Sequence, residues 1–469
     1  MINGKLIPKE WLFVVVAVAM LGLTGWVLTH FDPTFDRYDS LILLLLPLAF
    51  GLAMACFPVF KSDLRVFTPL NLMLLTWLHK MVIIPIEIVL LGNQVAIFNR
   101  SNHPLFTEIF ILIAAFFAFV AGWLIHKPPK SNSEPWVLGA RFPAKMLVVG
   151  YLGVGIWSLF WLYGSLEDYV AGALFTYINR EVMEQAGGAL IGYLANVGQR
   201  FLPFGVIIAW CVWQEYRPVN IWYNTIWLVV CLLSTLSSNR ANMIYPLLAF
   251  LSVMGANWYV KQKWLLVTLI VNATFLLFFF GYLRVQPTLD KQQLNDSFAA
   301  YIAQTDYIFY AHQIYFGTPY QITPLLHVEG VQHPTWWASL LDPVPILGKD
   351  FRVQSGVSLY NLAIYDSEIA QDKVVPVAGE LFYNGGYWAV VVAHICFGWV
   401  YARLDFWFKN TVQIAPLLAG CFFYLALLFN ATLLLNLSAL TQFLIYNAAP
   451  ALLLIFGYRL VFFISKFNS

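Results

Sequence analysis

Apolar residues run along this chain in blocks of about 20, the length that crosses a bilayer as a helix. Twelve such blocks can be placed, near residues 11–29, 40–60, 68–92, 105–126, 145–163, 193–214, 221–237, 241–259, 264–284, 378–401, 412–430 and 437–464. Polar segments join them. Two are longer than the rest and form loops over 164–192 and 285–377. The pattern predicts an all-α polytopic membrane protein of about twelve transmembrane helices, a single integral membrane domain over 1–469. Within the larger loop, 294–316 predicts a helix rich in Tyr, Phe and Ile that lies on the membrane surface or across the bundle mouth. The prolines of 334–345 break regular structure, and 355–365 predicts a second short helix.

Composition agrees. Hydrophobic residues make up 60% of the 469 and charged residues 11%, against about a quarter charged in soluble domains. The first block is too long for a signal peptide, lacks a clear small-residue cleavage site and is expected to stay as an anchor. A net charge of +2 gives no reason to expect nucleic acid as a partner. The five cysteines all lie in apolar blocks and form neither a metal spacing nor a secreted disulfide framework.

Charge sets the orientation. One set of block ends carries Lys5, Lys9, Lys61, Arg65, Lys127, Lys130, Arg141, Lys145, Arg217, Lys261, Lys263, Arg403, Lys409 and Lys466. The opposite loops, leaving aside 285–377, carry only Arg37, Arg100, Arg180 and Arg240. The positive-inside rule then places both termini in the cytoplasm and both long loops outside.

The residues able to carry chemistry lie mostly near the outer face. Arg240 follows Ser238 and Asn239 in a short turn into a block, where an N-capped helix start would add free N–H groups beside its guanidinium. Arg200 lies about a third of the way into its block, and Arg284 ends another. Each alone is explained by snorkelling, but three in one layer call for an anionic partner. Glu380 opens a late block, where a first-turn carboxylate complements the helix dipole. Gly385 and Gly386 follow it, and imply close helix approach or ligand access. Lys80, with His79 and Glu87, lies inside the third block as a functional group or a self-neutralising pair. In the large loop, Asp306 and His312 share one predicted helix as proton-transfer candidates. Lys349, Asp350 and Arg352 line a glycan groove or simply solvate the surface. The histidines match no zinc spacing, and no cofactor motif is present.

The run Ser238–Asn239–Arg240–Ala241 and the run Gly379–Glu380, then Asn384–Gly385–Gly386, resemble the Wzy-type oligosaccharide repeat-unit polymerases, the branch making O-antigen and enterobacterial common antigen. The large outer loop just before the late block, the number of spans and the cytoplasmic ends fit that resemblance. It implies a metal-independent glycosyltransferase without cofactors in the bacterial inner membrane. The growing glycan on undecaprenyl pyrophosphate would be the donor, and a lipid-linked repeat unit the acceptor. On that reading Arg200, Arg240 and Arg284 hold the pyrophosphate, and Glu380 or Asp306 is the base. Tyr310, His312, Lys349, Arg352 and Tyr383 are the expected glycan contacts. A chain-length regulator and a flippase are the implied partners, beside membrane lipid.

Three other functions share parts of this pattern. An O-antigen ligase shares much of this layout. A multi-span lipid-dependent glycosyltransferase would draw on Asp32 and Asp36 in the first outer loop. A transporter would share the span count, although the two halves of this chain are unlike.

Overall fold

The computed structural model describes residues 41–56, 68–91, 105–126, 144–165, 189–216, 245–249, 252–253, 313, 319–326, 334–345, 347–365, 375–412 and 415–467. The expected blocks 11–29, 221–237 and 264–284 lie outside the described residues, as does the predicted helix over 294–316 apart from Gln313. Among the described residues there are helices and no strands. Those of six residues or more are α1 (Leu45–Cys56), α2 (Pro69–Leu91), α3 (Phe106–Ile125), α4 (Ala144–Tyr163), α5 (Ala189–Gly198) and α6 (Phe201–Tyr216). Then come α7 (Trp336–Leu341), α8 (Gly356–Tyr365), α9 (Val377–Thr411), α10 (Pro416–Leu434), α11 (Leu437–Gln442) and α12 (Ala449–Phe467).

Five of these helices, α2, α3, α4, α9 and α10, are long and apolar enough to cross a membrane. A sixth span is made if Leu437–Asn447 and Ala449–Leu460, bent by 57°, count as one. The described residues are therefore all-α, with the helices of a membrane-embedded bundle.

Prolines set the irregularities. Pro85 has no N–H for the carbonyl one turn back, and α2 widens into a π turn over His79–Ile83 just before it. Pro203 leaves the Gln199 carbonyl without its helical donor; Leu202 N–H bonds it instead at 3.3 Å, and the expected single block 193–214 becomes α5 and α6. Pro450 follows a second π turn, Phe443–Asn447, where the last span bends. Helix starts follow familiar chemistry: Thr68 Oγ1 accepts from Asn71 N–H at 3.3 Å ahead of Pro69, and Asn436 Oδ1 accepts from Ala439 N–H at 2.8 Å.

The core lies between α2, α3, α9 and α10. Trp77, Phe116, Phe119 and Tyr401 stack through it with ring centroids 5.1–5.9 Å apart. The α3 and α9 backbones touch at two glycines. A Cβ on Gly122 would meet the Ile395 carbonyl oxygen at 2.0 Å, and one on Gly398 the Phe119 carbonyl oxygen at 2.0 Å. Cross-links reveal helix directions. His126 packs on Phe406 at 6.0 Å, and Leu70 N–H donates to Asp405 at 3.0 Å, so the end of α3, the end of α9 and the start of α2 share one face of the bundle. On that face, burial and nearby Arg403 hold the His126 imidazole below its usual pKa. Tyr401 O–H donates to Ala426 O at 3.0 Å while Phe408 packs on Phe423, so α10 runs antiparallel to α9. Parallel α3 and α9, with α2 and α10 antiparallel to them, match the alternation expected from the charge pattern.

Candidate functional site

Segments of the large loop fill the other end of the bundle, and three carboxylates hold them there. Glu87, near the end of α2, accepts from Gln313 Nε2 at 2.9 Å. Glu108, in the first turn of α3, accepts from Thr323 Oγ1 at 2.8 Å. Glu380, in the first turn of α9, accepts from the Ser339 hydroxyl of α7. All three are buried, so each hydrogen bond forms where water competes poorly.

Glu380 is the most connected of the three. Its second oxygen accepts the Leu437 N–H at 3.1 Å and so satisfies a free donor at the start of α11. Ser339 Oγ in turn accepts the Gly356 N–H at 2.8 Å, which ties in α8. A Cβ at position 356 would lie 2.2 Å from the carboxylate, so only glycine allows this approach. One turn along α9, Asn384 Oδ1 accepts the Thr335 and Trp336 N–H groups at 2.6 and 3.2 Å, capping α7. Gly386 has φ +60 and kinks α9 just beyond, beneath the outward-facing Trp388. The carboxylate expected as a base is thus filled with structural donors, and Ser339 would have to turn away to expose one oxygen.

A second feature surrounds Arg200. It occupies the break made by Pro203, immediately before the N-terminus of α6. Its guanidinium donates to Asn196 Oδ1 at 3.1 Å, while its Nε is buried with no hydrogen-bond partner. The Tyr163 and Tyr424 hydroxyls lie within electrostatic reach. The break in the last span faces this one: Tyr193 O–H donates to Ile445 O at 3.3 Å, and Tyr424 O–H to Asn447 O at 3.0 Å. Tyr245, five residues after Arg240, packs its ring on Phe443 at 6.4 Å and lies in electrostatic reach of Tyr424. A guanidinium with a spare buried donor, at a helix N-terminus and among tyrosines, is suited to an oxyanion.

The other expected residues divide. Arg240, Arg284, Asp306, Tyr310 and His312 lie outside the described residues. Lys80 and Glu87 do not pair with each other: Lys80 Nζ donates to Leu433 O at 2.8 Å, and Glu87 turns to Gln313. Arg352 pairs with Asp342 at 3.3 Å in the connection after α7, and Lys349 is exposed. Tyr383 packs against the small core formed by Leu325, Val357, Leu359, Tyr360 and Val375, beside α8. Glu108, Ser339 and Gly356 were not singled out in the sequence, and Asn384 entered only as part of a motif run. A first-turn carboxylate at 108 and an Asn one turn after Glu380 were the available signals. No group of three or more metal-ligating side chains occurs among the described residues. No family model matches the chain, and no curated protein or solved structure shows significant similarity to it.

Proposed function

We propose that this chain polymerises lipid-linked oligosaccharide repeat units, transferring the growing glycan from undecaprenyl pyrophosphate to a new lipid-linked repeat unit at the periplasmic face of the inner membrane. The observation that carries this reading is Arg200, with its unpartnered buried Nε in a break beside the segment that follows Arg240. The Wzy-like runs around Arg240 and Glu380 supply the reaction class.

In this reaction the bond from the anomeric carbon to the pyrophosphate oxygen breaks. A new bond forms from that carbon to an acceptor hydroxyl, whose proton passes to a base. Arg200, with Arg240 and Arg284, stabilises the charge left on the pyrophosphate; forked donors do this without a metal. Asp306 and Glu380 are the proposed bases. Glu380 serves as one only after Ser339 releases it, and otherwise positions the loop. Tyr310, His312, Lys349, Arg352 and Tyr383 are proposed to contact glycan, with the pinned loop covering the two chains.

Replacement of Arg200 by Ala, and separately by Lys, tests the proposal in cells by the length of surface glycan chains. Both are expected to lose long chains and accumulate single repeat units, with turnover down about 100-fold or more for Ala. Unchanged chain lengths with both variants remove Arg200 from the reaction. A carrier for an anionic lipid is the second reading, favoured by the two facing helix breaks, a device of transporters. Lipid-linked glycan movement in vesicles without chain extension would establish it instead.

A further inference from the structure

Lys80 is an ammonium group placed where a membrane bundle is least able to hydrate it. It is 6% exposed, on the π turn of α2, among helices α3, α9 and α10. Its Nζ donates to one acceptor, the Leu433 carbonyl near the C-terminus of α10. It forms no ion pair with any described residue. The partial negative charge of a helix end offsets only part of a full positive charge, and a buried charge without a counter-ion is strongly disfavoured.

Beside Lys80 lies a small cavity lined by Thr76, Trp77, Leu112, Val377, His394 and Leu433, among others. It leaves about 10 Å³ for the centre of a water-sized particle, enough for one such particle. A chloride ion exceeds water in radius by only a few tenths of an ångström, so a small adjustment of the lining side chains admits it. Trp77 contributes a second donor, for its indole Nε1 is buried with no hydrogen-bond partner. The His394 ring stands 6.4 Å from that of Trp77, with Nδ1 on the Val390 carbonyl at 2.8 Å. Thr76 is already engaged, donating to Leu72 O at 3.2 Å and accepting from Asn430 Nδ2 at 2.8 Å. Among the described residues no carboxylate lines the space. One uncompensated cation and one idle N–H around a single-particle cavity are the makings of an anion site.

We propose that the cavity beside Lys80 and Trp77 binds one monovalent halide ion, chloride in the cell, which neutralises Lys80 and braces α2 against α9 and α10. The site is separate from the Arg200 break and does not depend on the polymerase reading.

The test is thermal unfolding of the purified full-length protein in detergent, titrated with sodium chloride or sodium bromide against sodium gluconate at constant ionic strength. A ligand of the folded state alone raises the unfolding temperature by mass action. Chloride and bromide are expected to give a saturable rise of about 2 °C or more that gluconate does not. Lys80→Met is expected to abolish the rise, and Trp77→Phe, which keeps the ring and removes the N–H, to shift its midpoint to higher halide. Identical curves in halide and gluconate for the unaltered protein would mean that water alone fills the cavity, and would overturn the proposal. A halide response undiminished in both variants would also overturn it. If Lys80→Met does not fold, the unaltered protein and Trp77→Phe still decide the question.

Discussion

One carboxylate, Glu380, joins groups far apart in the chain: the Ser339 hydroxyl, through it the Gly356 amide, and the Leu437 amide. Removing it leaves donors buried without acceptors, each at about 1–3 kcal/mol. Glu380→Ala is therefore expected to lower the unfolding temperature sharply, and Glu380→Gln, which keeps one acceptor oxygen, to lower it less. Gly356→Ala should imitate Glu380→Ala in thermal unfolding, because its methyl displaces the carboxylate without removing it. Near-native stability for both Glu380→Ala and Gly356→Ala would show that this network contributes little. The same series separates positioning from proton transfer in the polymerase reading. A base role predicts that Glu380→Gln loses chain extension while remaining folded. The dipole argument from sequence placed a carboxylate correctly at a helix start. Which helix starts it serves, its own and that of α11, required the fold.

At the scale of elements, prolines shape the molecule around the polar groups. Pro85, Pro203 and Pro450 each follow or adjoin a distortion, and these distortions lie at Lys80, at Arg200 and beside Asn447. Pro203→Ala restores the amide that the Gln199 carbonyl lacks, and α5 and α6 are expected to join into a straighter helix. On the proposed function, that variant should shorten glycan chains as Arg200→Ala does, although the arginine is still present and the unfolding temperature holds or rises. Long chains from a stable Pro203→Ala protein would show that the break is not needed. The crossing of α3 and α9 makes an independent prediction. Gly398→Ala pushes a methyl to within 2.0 Å of the Phe119 carbonyl, so about 1–3 kcal/mol of stability should be lost and the yield of folded protein reduced. Hydropathy located α2, α3 and α4 to within a residue or two. It missed the break in 193–214 and the extension of α9 to Thr411, because average hydropathy is blind to a single missing N–H and to a helix that continues past the apolar zone.

At the scale of the whole molecule, the parallel run of α3 and α9 implies an even number of reversals between them, as alternating spans require. A fluorescent-protein fusion at the C-terminus is expected to glow, and an alkaline phosphatase fusion at the same place to be inactive; the reverse pattern would invert the assigned topology. Glu87, Glu108 and Glu380 pin loop segments into the mouth of the bundle from three separate helices. The sequence alone determined the class, the alternation of α2, α3, α9 and α10, and the limits of α2, α3 and α4. Those follow from hydrophobic length and from where cations fall, quantities each segment carries by itself. Only the tertiary structure decided which polar groups are spent and which are idle. Glu87 leaves Lys80 for Gln313, Glu380 is filled by Ser339 and Leu437, and Arg200 keeps a donor in reserve. The Glu380 and Glu87 pairings join residues 41, 57 and 226 positions apart, and no local pattern encodes a partner at those distances.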